Sequence, residues 1–237
     1  MKNFIFILLC VISPVLCQAE PLYLRENLNH AKKGDYLVTV RNKNYTLILI
    51  NEKSNKSLII QEITIPQQKF PSNIGTWRAW VESGAPNHTA WVTYKVDLNN
   101  GALQNLYSYS HRSWVNISET DNIFTKLINM PFHPLPDRQR RYVGTSDGRR
   151  RLWHPRMVVE GQVIPNVTFD AWSSQWPCDQ SPLSEKSIQI YIPQDGQGYP
   201  NYFPYWMSVR ATVGKTQLRI VDSGSGLESP RSFPATI

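Results

Sequence analysis

The sequence predicts an α+β fold in which β-structure predominates: a curved antiparallel sheet, meander-like and approaching a half-barrel, with two or three helices covering one face. Three observations predict it. From Tyr36 onward, runs of six to nine residues rich in β-branched and aromatic side chains alternate with short polar turns, as adjacent antiparallel strands do. Val92, Tyr94, Val96 and Leu98 alternate with Thr93, Lys95 and Asp97, the period of a half-buried strand. The 17 Pro and 12 Gly among 237 residues oppose an all-helical bundle.

The chain opens with Met1-Lys2-Asn3, then a nearly continuous apolar run from Phe4 to Leu16 broken at Ser13-Pro14. That run is shorter than the roughly 20 residues a bilayer span needs. Cys17-Gln18-Ala19 presents small residues at the spacing a signal peptidase reads. Residues 1–19 therefore read as a secretory signal peptide and 20–237 as a β-rich domain, secreted or periplasmic after cleavage, with no transmembrane span left. Lipid anchoring through Cys17 is the alternative, although Leu16 poorly fits the small residue expected before a lipidated Cys. Cleavage removes Lys2 and leaves 24 basic against 18 acidic residues, a net charge of +6. It also removes Cys10 and Cys17, so Cys178 has no intrachain disulfide partner and is expected as a small buried hydrophobe.

The elements follow in order. Residues 22–33 read as a short helix closed by Gly34. Residues 36–41, 45–51 and 57–65 read as three strands, with Asn42-Lys43-Asn44 and residues 53–56 as their turns. Ile74, Trp77 and Val81 share one helical face, with Ser72 or Asn73 as cap and Gly84-Ala85-Pro86 as stop. Residues 92–98 and 103–110 form a hairpin about Asn100-Gly101. Residues 121–130 read as a helix capped by Thr120 and stopped by Pro131. The proline-dense stretch 131–136 is a linker or crossing segment. Strands are expected at 156–159, 187–192, 206–211 and 216–222, and an irregular tail from Gly224 onward. A subdivision falls, if anywhere, near 131–155; apolar strands on both sides favour one continuous sheet.

Two clusters are candidate binding residues. Residues 137–156 hold seven arginines, namely Arg138, Arg140, Arg141, Arg149, Arg150, Arg151 and Arg156, against Asp137 and Asp147, with Tyr142 and Trp153 among them. Guanidinium forks bind phosphate and carboxylate oxygens bidentately, which suits an anionic partner. The alternative is a turn whose arginines pair with carboxylates. The second cluster is Tyr199, Tyr202, Phe203, Tyr205 and Trp206, interleaved with Pro200 and Pro204, with Trp172 and Trp176 upstream. It reads as an aromatic wall for a sugar, peptide or acyl chain, or as rings packed on prolines to order an irregular segment.

No catalytic set emerges. Asp222-Ser223-Gly224 at the end of an apolar strand has the form of an aspartic-protease loop, but that chemistry needs two such aspartates sharing a proton and one copy is present. Asp222 is expected to hydrogen-bond its own turn. The five His are dispersed, no glycine-rich phosphate loop occurs, and no cofactor or metal is expected. The expectation is a non-enzymatic cell-envelope protein whose partner is a lipid, an acyl chain or an anionic envelope component. Nucleic acid is set aside on grounds of compartment. A secreted hydrolase using Asp222 or Asp170, and an envelope assembly protein docking through its arginines, are the alternatives.

Overall fold

The computed structural model describes residues 20–117, 123–146, 148–194, 200, 202–210 and 215–235. Residues 1–19, on which the export signal and Cys17 fall, Thr120 as a helix cap, and Tyr199 lie outside them. After a short helix α1 (Leu24–Asn27), continued by a 3-10 turn at Leu28–His30, come strands β1 (Tyr36–Arg41), β2 (Asn44–Lys53) and β3 (Ser57–Pro66). Helix α2 (Trp77–Glu82) precedes β4 (Ala90–Asp97), β5 (Leu103–Ser108) and β6 (Ser113–Val115). Helix α3 (Ile123–Asn129) is followed by β7 (His133–Pro134) and two small hairpins, β8 (Tyr142–Gly144) with β9 (Arg150–Leu152) and β10 (Met157–Val159) with β11 (Gln162–Ile164). The chain then returns through β12 (Phe169–Gln175), β13 (Ser187–Pro193), β14 (Trp206–Arg210) and β15 (Lys215–Gly224).

Strands dominate, and eleven of them form one antiparallel sheet in the order β6-β5-β4-β3-β2-β1-β15-β14-β13-β12-β7. Each half of the chain is a meander. The first strand of one meander pairs with the last of the other, Leu37 opposite Ser223 and Tyr36 opposite Gly224. Strands from both sides of 131–155 thus lie in the same hydrogen-bonded sheet.

Local chemistry explains the tight turns. Between β1 and β2, Asn42 and Lys43 both take left-handed backbone (φ 48° and 65°), the two-residue loop whose twist matches its strands. The β4–β5 turn places Gly101 at φ 72°, with its N–H on the Asp97 carbonyl at 2.7 Å. A Cβ there would lie 2.7 Å from Asn129 Nδ2 and 2.9 Å from Ile128 Cδ1 of α3, so glycine is required twice over.

Both faces of β1–β4 are covered. Leu37, Ile50, Ile60 and Val96 pack with Leu24 and Leu28 of the N-terminal helical segment and Ile128 of α3. Their neighbours of opposite pleat, Tyr36, Val38, Leu49 and Trp91, pack with Trp80 and Val81 of α2 and with Leu227. Period-2 alternation puts these two sets on opposite sides. The expected placement of the helices on one face is therefore corrected: α1 and α3 cover one side and α2 the other.

Other boundaries shift for identifiable reasons. Helix α2 starts at Trp77, because Thr76 rather than Ser72 or Asn73 accepts the Ala79 N–H, at 3.1 Å. The N-terminal helix is shorter than 22–33, because Leu22 exchanges two backbone bonds with Phe132 as an isolated bridge. Residues 225–235 are irregular, as expected, yet they lie across the sheet. Leu227 is buried and its N–H bonds Gly34 O at 2.9 Å.

Candidate anion-binding cleft

The arginine-rich segment folds into the β8–β9 hairpin, with Val143 opposite Arg151 and Gly144 opposite Arg150. Thr145 N–H bonds Arg149 O at 2.8 Å, and Gly148, at φ 78°, closes the turn. The pairing continues past the strands, since Trp153 N–H bonds Arg141 O at 2.8 Å. Alternation along the hairpin divides its arginines. Arg141, Val143, Arg151 and Trp153 line a cleft. Arg150 faces away and lies over the Tyr142 ring, 5.8 Å from its centroid.

The β10–β11 hairpin forms the facing wall. It is pinned to β15: Glu160 N–H bonds Ser223 O at 2.8 Å, Ser223 Oγ donates to Val158 O at 2.8 Å, and Gly161 N–H bonds Asp222 Oδ1 at 3.0 Å. Tyr205 OH joins this set, 3.1 Å from Ser223 Oγ. Between the hairpins lies a cleft of about 1350 Å³. Its walls hold buried Tyr205, Trp206 and Ile220 and half-buried Trp153, Ile164 and Val167. Trp153 meets Trp206 edge-on at 5.2 Å and Tyr191 at 5.3 Å, an arrangement that fixes ring positions.

The charge in the cleft is one-sided. Arg141, Arg151, Arg156 and Arg219 are exposed in its walls, and none of its described lining residues is acidic. Among the described residues, none of these four forms an ion pair. Arg141 stacks on Trp153 at 5.3 Å. His154 is held below its ordinary value by burial, with Arg140 and Arg151 adding repulsion. The positive charge of the cleft is carried by these guanidinium groups.

The remaining candidates lie elsewhere. Arg140 is structural: its side chain is 10% exposed, with Nη1 3.3 Å from Asp137 Oδ1, Nη2 donating to Phe169 O at 3.2 Å, and its guanidinium 5.6 Å from the Tyr191 ring centre. Arg138 is exposed on a 3-10 turn, and Arg149 stands at the hairpin turn. Trp176 is buried, its indole N–H donating to Asp179 Oδ2 at 3.0 Å. Trp172 sits in β12 opposite Pro134 and Ile190, and Tyr202 is buried in the core. The expected single wall is thus divided: Tyr205 and Trp206 reach the cleft, while Trp172, Trp176 and Tyr202 do not line it. Cys178, expected buried, is exposed, because its neighbours Trp176 and Asp179 take the inward positions. Asp222 is buried and bonds the β10–β11 turn as well as its own Ser223 N–H, and burial raises its carboxyl above the usual range. Sequence reasoning did not single out Arg219, which lines the cleft; a charged residue directly before the apolar pair Ile220-Val221 was the signal available.

Among the described residues, no three His, Cys, Asp or Glu side chains gather to hold a metal ion, and no helix is long and apolar enough to cross a membrane. Comparison with curated proteins finds no match. Among solved structures, the hypothetical protein CT021 from Chlamydia trachomatis is similar over 91% of this chain and 98% of that one, with 21% identity and a TM-score of 0.62. That likeness is one of fold. Residues 46–165, just over half of the 237, match the CT021 protein family. They run from β2 to the first residue after β11, spanning both hairpin walls of the cleft. The chain belongs to the CT021 protein family.

Proposed function

We propose that this is a non-enzymatic binding protein of the cell envelope, exported behind residues 1–19, whose cleft holds an anionic amphiphile. One observation carries the reading: four arginines and no described carboxylate surround a cleft walled by Trp153, Trp206 and Ile220. Guanidinium groups suit a phosphate or carboxylate headgroup. Fixed rings and aliphatic side chains suit an acyl chain, at small entropic cost to the protein. We read the sheet as curved, in the manner of a half-barrel. Register shifts at Val38/Thr39, Ile50/Glu52 and Thr93/Lys95 support that curvature, since bulges bend strands and increase their twist.

The test compares dodecyl phosphate, dodecanol and inorganic phosphate as probes of the purified chain. Dodecyl phosphate should bind saturably and at least about tenfold more tightly than either fragment, and less tightly as salt rises. Arg151→Ala with Arg219→Ala should weaken it by about tenfold or more while leaving the fold intact. Equal affinity of the double variant, or no saturable binding, overturns the reading. Export is tested separately by mass spectrometry of the native protein, which should begin at Glu20.

A further inference from the structure

The β8–β9 hairpin is a two-stranded sheet of its own, outside the eleven-stranded one. Its root is fixed to the body. Trp153 packs on Trp206 and Tyr191, and Arg140 donates to Phe169 O at 3.2 Å. Alternation puts Tyr142 and Arg150 on the opposite pleat from Arg141, Val143 and Arg151. There Tyr142 is 40% exposed, one of four exposed large hydrophobic side chains among the described residues, with the Arg150 guanidinium over its ring. Arg149 at the turn and Arg138 before the hairpin are exposed as well. None of these four residues lines the cleft. From Arg138 to Val159 the sequence holds seven arginines and a single acid, Asp147. The carboxylates that flank this stretch are engaged elsewhere: Asp137 with Arg140 at 3.3 Å, and Glu160 with Arg78 at 2.7 Å.

We propose that Tyr142, Arg149 and Arg150 form a docking surface for the headgroups of an anionic bilayer. Charge complementarity carries the argument. The hairpin concentrates positive charge with no described carboxylate beside it, and a surface of anionic lipids attracts each arginine held within a Debye length. The ring adds a second term. A tyrosine buries its apolar body at headgroup depth and leaves its hydroxyl wet. A guanidinium lying over that ring keeps its donors for phosphate oxygens at the same depth. Single-stranded nucleic acid is also a polyanion, but proteins hold it by stacking successive bases on several rings. This face of the hairpin exposes one. The choice of a bilayer rests on reading the cleft as the seat of an amphiphile, since a ligand with an acyl chain resides in a membrane. The docking residues are nevertheless distinct from the cleft residues, so the two roles can be measured apart.

The test measures partition of the full chain onto vesicles of phosphatidylcholine alone and of phosphatidylcholine mixed with an equal part of phosphatidylglycerol. The apolar run at residues 4–16 can hold any vesicle, so the quantity read is the ratio between the two. The native chain should favour the anionic vesicles by about tenfold or more at low salt and lose that preference as salt rises. Arg149→Ala with Arg150→Ala should cut the preference by about tenfold or more. The same variant should keep the native circular dichroism spectrum and its affinity for dodecyl phosphate, because neither arginine lines the cleft. On anionic vesicles the amides of β8 and β9 should exchange hydrogen more slowly than in free protein. If the double variant fails to fold, Arg150→Gln, which removes one charge and keeps a long polar side chain, takes its place. Equal partition of the native chain onto both vesicles overturns the proposal, as does an undiminished preference in the folded variant. So does a single-stranded oligonucleotide that binds these arginines more tightly than the anionic vesicles. Saturable dodecyl phosphate binding without a vesicle preference overturns the docking surface and leaves the cleft. A vesicle preference lost in the variant, without dodecyl phosphate binding, supports the docking surface and overturns the cleft.

Discussion

Gln61 shows how much one buried amide can carry. With no exposure to water it satisfies the Trp91 indole, the Ser229 hydroxyl and the Arg231 carbonyl together. Replacing it by leucine keeps the volume but strands a buried indole N–H, which should cost about 1–3 kcal/mol. The urea midpoint should fall with an unchanged slope; an unshifted midpoint would mean that another acceptor reaches Trp91. Asp179 is the corresponding charged case. It accepts Lys126 Nζ at 2.7 Å, Ser181 N–H at 2.9 Å and the Trp176 indole at 3.0 Å. The Lys126 ammonium first, and these other donors, hold its carboxyl well below the usual 3.8. A depressed folded-state pKa contributes stability that is present above the unfolded value and lost as pH falls through the folded one. Asp179→Asn should therefore be less stable than the native chain at about pH 7, and the difference should shrink as the medium is acidified below about pH 4. Urea midpoints measured across that range check both the sign and the window.

At the scale of elements, the β4–β5 hairpin and α3 act as one unit through Gly101. Gly101→Ala adds a Cβ at φ 72° against Ile128 and Asn129. It should destabilise by about 1–3 kcal/mol and speed hydrogen exchange in α3 as well as in the hairpin. A change confined to the hairpin would separate the two. The same scale shows what was legible in the sequence. β1 to β5 and β13 to β15 could be read because their β-branched runs are bounded by turn residues. β12 could not, because Asp170, Ser173 and Ser174 dilute its pattern, and its strand character comes from pairing with β13 along its whole length. β6 and β7, with three and two residues, are too short to carry a period. The cleft was half legible. Arg141, Arg151 and Trp153 stood out by composition, but hairpin alternation decides that Arg150 points away. Arg219 and Ile220 arrive from β15, which no spacing in the arginine segment could indicate.

The whole molecule turns on the seam between β1 and β15. The cleft stands on β14 and β15, and the cluster of Gln61 and Trp91 that holds Ser229 and Arg231 stands on β3 and β4, so the seam lies between their supports. Leu37 sits in that seam, 1% exposed, paired with Ser223 on one side and Ile48 on the other. Leu37→Ala removes buried methyl groups from a site fixed by two ladders, where relaxation is limited, and should cost about 2–5 kcal/mol. If the sheet is one cooperative unit, backbone amides in β4 and β13 should lose protection by the same free energy, although they lie on opposite sides of the substitution. Loss of protection in β1 to β4 alone would show that each meander holds its own structure and that the seam only joins them. Equal loss would mean that the contacts around Trp91 and those around Trp206 share one stability, so that a ligand bound in the cleft would also protect β3 and β4 against exchange.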